Sequence, residues 1–172
     1  MSEDPLEVET VDDRLVLTLA DPDVRNAISL DMATALLEEF DSLDPSIRCV
    51  VIQGSGGTFC AGGDVGAMIE GVATDMPVDT RIEDYAVPTN RAVQAVYECP
   101  VPTVAKVDGP AFGAGAALAI ACDLVLASER AKISFGFRQV GLSIDSGTSA
   151  LLARQVGESV AMDLVFTGEL LD

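Results

Sequence analysis

Asp108-Gly-Pro-Ala-Phe-Gly-Ala-Gly-Ala-Ala-Leu-Ala-Ile-Ala-Cys-Asp123 is the stretch on which the fold of this chain turns. It follows a short β-like run, Thr103 to Val107, and passes through Gly109, Gly113 and Gly115. From Ala116 to Cys122 it carries no charge and mostly small side chains, which predicts a buried helix. A glycine-lined approach to a buried helix leaves bare N–H groups at the positive end of the helix dipole. Such a place suits an anion or a developing oxyanion. A second glycine-rich turn, Gly54-Ser-Gly-Gly-Thr-Phe-Cys-Ala-Gly-Gly-Asp-Val65, comes directly after the strand-like run Cys49 to Gln53. Two such turns, each between a strand and a helix, can bring one N–H apiece to a common point.

Outward from these turns the pattern alternates between strands and helices. Leu6 to Val11 and Arg14 to Ala20 flank Asp12-Asp13 as a hairpin, and Asp21-Pro-Asp is a turn. Ser29 is placed to cap a helix of about a dozen residues, with Met32, Leu36, Leu37, Phe40 and Leu43 on one face and Asp44-Pro45 as its stop. The first glycine turn leads to a short helix through Ala67, Met68 and Ile69. Glu70 to Thr89 has weak periodicity and two prolines, and is expected to be a mobile loop before a helix from Asn90 to Glu98. Pro100 and Pro102 stop that helix and lead into the Thr103 strand. Leu124 to Ala127 and Lys132 to Phe135 read as strands. Asp145-Ser146 is expected to cap a helix to Val156, and a further helix begins at Glu158. Strands alternating with helices predict an α/β domain. Residues 1–166 form its core, and 167–172 look like the start of a truncated helical region.

Composition excludes several functions. Twenty-eight acidic residues against ten basic ones leave a net charge of −18, which repels nucleic acid and anionic membranes. The acids are spread along an apolar, well-patterned sequence, so the expectation is an acidic surface suited to high salt, as in a halophile. There is no histidine, which removes Ser-His-Asp and Cys-His catalysis and the common zinc ligand sets, and no metal site is expected. Acid–base work falls to a carboxylate, lysine, tyrosine, cysteine or water. Cys49, Cys60, Cys99 and Cys122 lack metal or redox spacing and read as packed thiols. The N-terminus, Met-Ser-Glu-Asp-Pro, has no basic-then-apolar signal and no 18-residue apolar run occurs, so a cytoplasmic protein is expected. The glycine spacings do not fit a dinucleotide site, and Gly-x-Ser-x-Gly is absent.

Four stretches together resemble the enoyl-CoA hydratase/isomerase (crotonase) superfamily. They are Val24-Arg-Asn-Ala-Ile28, Phe59-Cys-Ala-Gly-Gly-Asp-Val65, Val107-Asp-Gly-Pro-Ala-Phe-Gly-Ala-Gly115 with Cys122-Asp123, and Val140-Gly-Leu-Ser-Ile-Asp-Ser-Gly147. The resemblance implies a crotonase/ClpP-like spiral of ββα units, here lacking most of the usual C-terminal helical portion. It implies an acyl-CoA thioester as substrate, with coenzyme A entering only as part of that substrate and no separate cofactor. The thioester carbonyl would lie between the amides matched by Gly63 and Ala114. Main chain around Ala27, and from Ala61 and Gly62 through Asp64 to Val65, would hold coenzyme A. Arg25, beside them, is the candidate phosphate partner. The resemblance also implies a homotrimer or a dimer of trimers when the C-terminal region is present.

Departures from the family pattern narrow the reaction. The hydratases' two glutamate positions are matched by Ala117 and Phe137, which cannot transfer a proton. Asp145 remains, and it is similar to the catalytic Asp of the family's isomerases. It also resembles the nucleophile of a related dehalogenase, which needs a histidine that this chain lacks. Isomerisation is therefore favoured, with Gly63, Ala114 and Asp145 as the catalytic set. The alternatives are a hydratase and a non-catalytic acyl-CoA-binding protein. Phe135, Phe137 and Ile144 are expected to wall Asp145 and raise its pKa. Asp64 and Asp123 also read as caps or turn formers.

Overall fold

The computed structural model describes residues 4–172. Its main sheet orders β1 (Leu6–Val11), β2 (Arg14–Leu19), β3 (Cys49–Gly54), β4 (Thr103–Val107) and β6 (Leu124–Ala127) side by side. The first pair is an antiparallel hairpin, and every other neighbour runs parallel. Register follows the period-two pattern of the sequence. Leu17, Ile52 and Ala105 form one row across the three central strands, and all are fully buried. A second sheet pairs β5 (Pro110–Phe112) in parallel with β7 (Lys132–Ser134). The order β4-β5-α5 followed by β6-β7-α6 repeats a ββα unit, with α5 at Ala114–Ala121 and α6 at Thr148–Val156.

Helices cover the inward face of the main sheet. Helix α1 (Leu30–Asp41) starts where Ser29 Oγ accepts the Met32 N–H at 3.2 Å. It sets Met32 and Leu36 into a core shared with Val93 and Val96 of α4 (Val87–Tyr97) and with Leu118 of α5. A smaller cluster joins Ala116, Ile120, Phe135, Leu152 and Leu164, so that α6 and α7 (Glu158–Thr167) pack on the far side of α5. All eight residues of α5 are buried, which is why a helix there carries no charge. The two glycine turns leave the carboxyl ends of the adjacent parallel strands β3 and β4, the edge at which open α/β sheets hold ligands.

Several expectations are corrected. Glu70 to Thr89 is not a loop: α2 (Val65–Ala73) runs into it, and α3 (Val78–Arg81), a π turn at Ile82–Ala86 and α4 follow without a break. Pro88 suggested an interruption because it has no N–H and its ring crowds the preceding turn. The π turn relieves that crowding just upstream, with the Val87 N–H reaching back to Ile82 O. The strand β5 lies inside the stretch expected to be turn. Neither Asp145 nor Ser146 caps α6, whose first residue follows the left-handed Gly147 with no side-chain cap. Beyond α7, which ends at Thr167, Leu171 exchanges both backbone hydrogen bonds with Ile133 at 2.8 and 3.0 Å. The tail thus adds an extended bridge beside β7. Among the described residues no helix is long and apolar enough to cross a membrane.

Candidate active site

The first turn is pinned from two sides. On one, the Ala61 N–H donates to Arg25 O at 3.0 Å and the Ile28 N–H to Gly62 O at 2.7 Å. On the other, the Phe112 N–H donates to Cys60 O at 2.9 Å. Arg25 and Asn26 both take left-handed backbone, with φ of 56° each. Asn26 is wholly buried, and its Nδ2 donates to Ser55 O and Thr58 O at 3.0 and 2.8 Å, tying the two loops together. Gly62 has φ of 102°, and a methyl group there would stand 2.7 Å from Phe112 O and 3.5 Å from Ala114 N. The two glycine turns are therefore in contact at Gly62, and only glycine permits it.

The second turn is fixed by Gly113, whose N–H donates to Ser134 O at 2.9 Å and whose carbonyl receives the Ala117 N–H at 3.0 Å. Ala114 is the first residue of α5, so its amide lies outside the helix ladder. At Gly115 a methyl group would lie 2.8 Å from Cys60 Cβ and Sγ, so α5 can approach the first turn only with glycine there. Among the described residues, neither the Gly63 nor the Ala114 N–H has a hydrogen-bond acceptor. Two unspent donors thus stand on touching turns, at the positive end of a buried helix.

Asp145 is half-buried, and burial pushes its carboxyl above the usual carboxylate range, with the Ser146 hydroxyl offsetting part of that shift. Its Oδ1 accepts the Ser146 Oγ–H at 2.9 Å, while its backbone carbonyl takes the Thr148 N–H at 2.9 Å. The side chain is therefore free of capping duty. Phe135 and Phe137 are buried, and Phe137 Cε1 lies 3.9 Å from where a methyl group on Gly113 would stand. Ala117 is fully buried within α5. Neither Ala117 nor Phe137 offers a proton-transferring atom.

A groove of about 210 Å³ abuts the first turn. Its lining includes Ser29, Asp64 and Ala67 at the starts of α1 and α2, with Met68 and Tyr85. Met68 Cε lies 3.0 Å from a methyl position on Gly63, which joins the groove to the free amide.

A family model described as enoyl-CoA hydratase/isomerase matches residues 12–172. The chain belongs to that family. A relative from Thermus thermophilus, named provisionally as an enoyl-CoA hydratase, is 40% identical over 159 residues, which are 91% of this chain and 61% of the relative. The trans-2-decenoyl-[acyl-carrier-protein] isomerase of Streptococcus mutans is 33% identical over 159 residues, 91% of this chain and 59% of its own length. The crystal structure of an enoyl-CoA hydratase from Polaromonas sp. JS666 superposes with a TM-score of 0.90 at 32% identity, covering 97% of this chain and 65% of that one. The fold is the crotonase spiral. The chain spans about three fifths of the length of the curated relatives it matches.

Within this enoyl-CoA hydratase/isomerase family member, the residues singled out by sequence divide by where they sit. Gly63 and Ala114 lie on the touching turns. Asp64 caps α2 by accepting the Ala67 N–H at 2.9 Å and also lines the groove. Ala27, Ala61 and Gly62 belong to the hydrogen-bonded seam between the loops, Val65 opens α2, and Arg25 is exposed without an ion pair among the described residues. Asp123 is structural, because its Oδ2 accepts both Thr103 N–H and Thr103 Oγ1–H at 2.8 and 3.0 Å. Sequence reasoning passed over Asn26, Met68, Tyr85 and Asn90. Asn26 stood inside a quoted motif, whereas nothing local distinguishes the other three.

Proposed function

We propose that the protein is an enoyl-CoA isomerase that moves a double bond of an acyl-CoA thioester through an enolate. The observation that carries this reading is the isolation of Asp145. It is half-buried and free of capping, and burial weakens its acidity, while Ala117 and Phe137, which the resemblance matches to the hydratase glutamates, carry no acid. In the proposed mechanism the thioester oxygen lies between the Gly63 and Ala114 amides. Asp145 takes the α-proton, and the electron pair it leaves becomes an enolate whose oxygen the two donors hold. Asp145 then returns the proton at the γ-carbon, and the double bond ends between Cα and Cβ. One carboxylate serves both carbons because they belong to one allylic unit. A carboxyl made less acidic than usual is better suited to both giving and taking a proton. Each fixed donor contributes about 3–4 kcal/mol to lowering the barrier, because it is aimed before the charge appears.

Coenzyme A in this reading runs along main chain at Ala27, Ala61, Gly62, Asp64 and Val65, with Arg25 exposed for a phosphate. No further cofactor is proposed. A trimer or a dimer of trimers, in the cytoplasm, belongs to the same proposal, and sedimentation mass tests the assembly.

The names of several relatives favour a second reading, hydration of a 2-enoyl-CoA by a water that Asp145 activates. The decisive experiment incubates the protein with a 3-enoyl-CoA in D2O and follows it by NMR. Conversion to the conjugated thioester, with any solvent deuterium entering at Cγ, supports the isomerase. A 3-hydroxy product from crotonyl-CoA, without exchange, replaces it with the hydratase. Binding with neither reaction leaves an acyl-CoA-binding protein.

A further inference from the structure

We infer that Asn90 of α4 is the positioning residue that aims Asp145, acting through Ser146; the inference rests on the role proposed above for Asp145. The loop from Leu142 to Gly147 is poorly anchored: Gly141, Leu142 and Ser143 are exposed, and its backbone bonds stay within Phe137 to Leu151. Among the described residues, one hydrogen bond reaches that loop from another element. It is the Ser146 N–H donating to Asn90 Oδ1 at 2.7 Å, between residues 56 apart in the chain.

The orientation of the Asn90 amide follows from its partners. Its Nδ2 donates to Ala86 O at 2.7 Å, a carbonyl that can only accept, while Oδ1 receives an N–H that can only donate. Both ends are thus occupied and the group cannot flip without losing two bonds. Ser146 is 1% exposed and takes φ of 51°, a left-handed conformation that a non-glycine residue adopts only when its surroundings hold it there. In that conformation its Oγ turns back to Asp145 Oδ1 at 2.9 Å. The second carboxylate oxygen has no partner among the described residues and remains for the reacting carbon.

The same helix reaches the groove. Ala86 ends the π turn, Tyr85 beside it lines the groove, and Thr89 Oγ1 holds the Tyr85 carbonyl at 2.8 Å. A π turn is a strained, adjustable piece of helix that recurs at functional sites. Asn90 fastens the carboxylate loop to that piece, so the segment that touches the groove also sets the aspartate.

The test compares wild type with Asn90→Leu and Asn90→Asp. Leucine removes both bonds at similar size, whereas aspartate gives up the bond to Ala86 O and keeps an oxygen for the Ser146 N–H. A misplacement of about 1 Å costs on the order of a hundredfold in rate. Asn90→Leu is therefore expected to lower kcat about 10–100-fold with KM for the acyl-CoA changed less than about twofold. Asn90→Asp is expected to recover most of that loss. Leucine with kcat within twofold of wild type, a loss confined to KM, or an aspartate variant no better than leucine overturns the inference. On the same three proteins without substrate, Ser146 amide exchange and the Asp145 carboxyl carbon resonance are read by NMR. Both should move in Asn90→Leu. Wild type without turnover sinks the isomerase, whereas an unmoved Asp145 resonance and unchanged Ser146 protection sink the role of Asn90.

Discussion

Replacing Ala114 by proline deletes one N–H from the site and almost nothing else. Ala114 is the first residue of α5, and the helix's own ladder begins with the Ala117 N–H on Gly113 O, so no backbone bond is lost. Proline is favoured at the first helical position, where its fixed φ already matches the helix. The preceding residue is usually restricted by the proline ring. Gly113, at φ 51° and ψ −118°, occupies the mirror image of the extended region, which leaves room for the ring and which glycine alone enters freely. Folding stability should therefore change by less than about 1 kcal/mol, a shift of roughly 2–4 °C in Tm for a chain of this size. Catalysis should change far more. Losing one preorganised donor costs about 2.7–4 kcal/mol, or 10²–10³ in kcat. The assay is appearance of the conjugated enoyl thioester from a 3-enoyl-CoA, with thermal unfolding alongside. A folded Ala114→Pro protein with kcat within threefold of wild type would falsify the role of this amide. Collapse of both Tm and turnover would show that the N–H serves the fold instead.

Three further outcomes follow from the same geometry. Burial raises the pKa of Asp145 in the fold, so its protonated form stabilises the folded state below the unfolded pKa, and that contribution fades as pH rises through the folded one. At neutral pH the carboxylate weakens the fold. Asp145→Asn should raise Tm at pH 7 while lowering kcat about 10²–10⁴-fold, and a lower Tm with intact turnover contradicts both roles. Gly115→Ala drives a methyl to 2.8 Å from Cys60 Cβ and should destabilise by about 1–3 kcal/mol with loss of turnover, read as urea midpoint and rate; an unshifted midpoint refutes the close packing of α5 on the first turn. Only three ion pairs occur among the described residues, all on exposed side chains, against a net charge of −18. Tm should climb between 0.1 and about 2 M NaCl as the Debye length shrinks, and a flat Tm shows that charge repulsion does not limit the stability of this fold.

What the sequence determined by itself was whatever a short window encodes. Alternating apolar residues in β2, β3 and β4 set which side chains face inward, and so set the register of the sheet. Ser29 marked the start of α1, and the uncharged run after Gly115 could only be a buried helix. The glycine turns were legible for the same reason, because a backbone that must approach another backbone has to shed its side chains locally. Tertiary structure alone decided the rest. That Gly62 touches Ala114, that Pro88 rides a helix behind a π turn, and that Leu171 pairs with Ile133 of β7 all depend on partners distant in the chain. Asp145 shows the division most clearly. Its motif gave its identity, but its aim comes from Asn90, 56 residues before Ser146, through a hydrogen bond whose acceptor leaves no mark on the residues around it. Local patterning records which groups must be buried or bare; it cannot record which of them meet, since closing long loops between them is settled by the packing of the whole core.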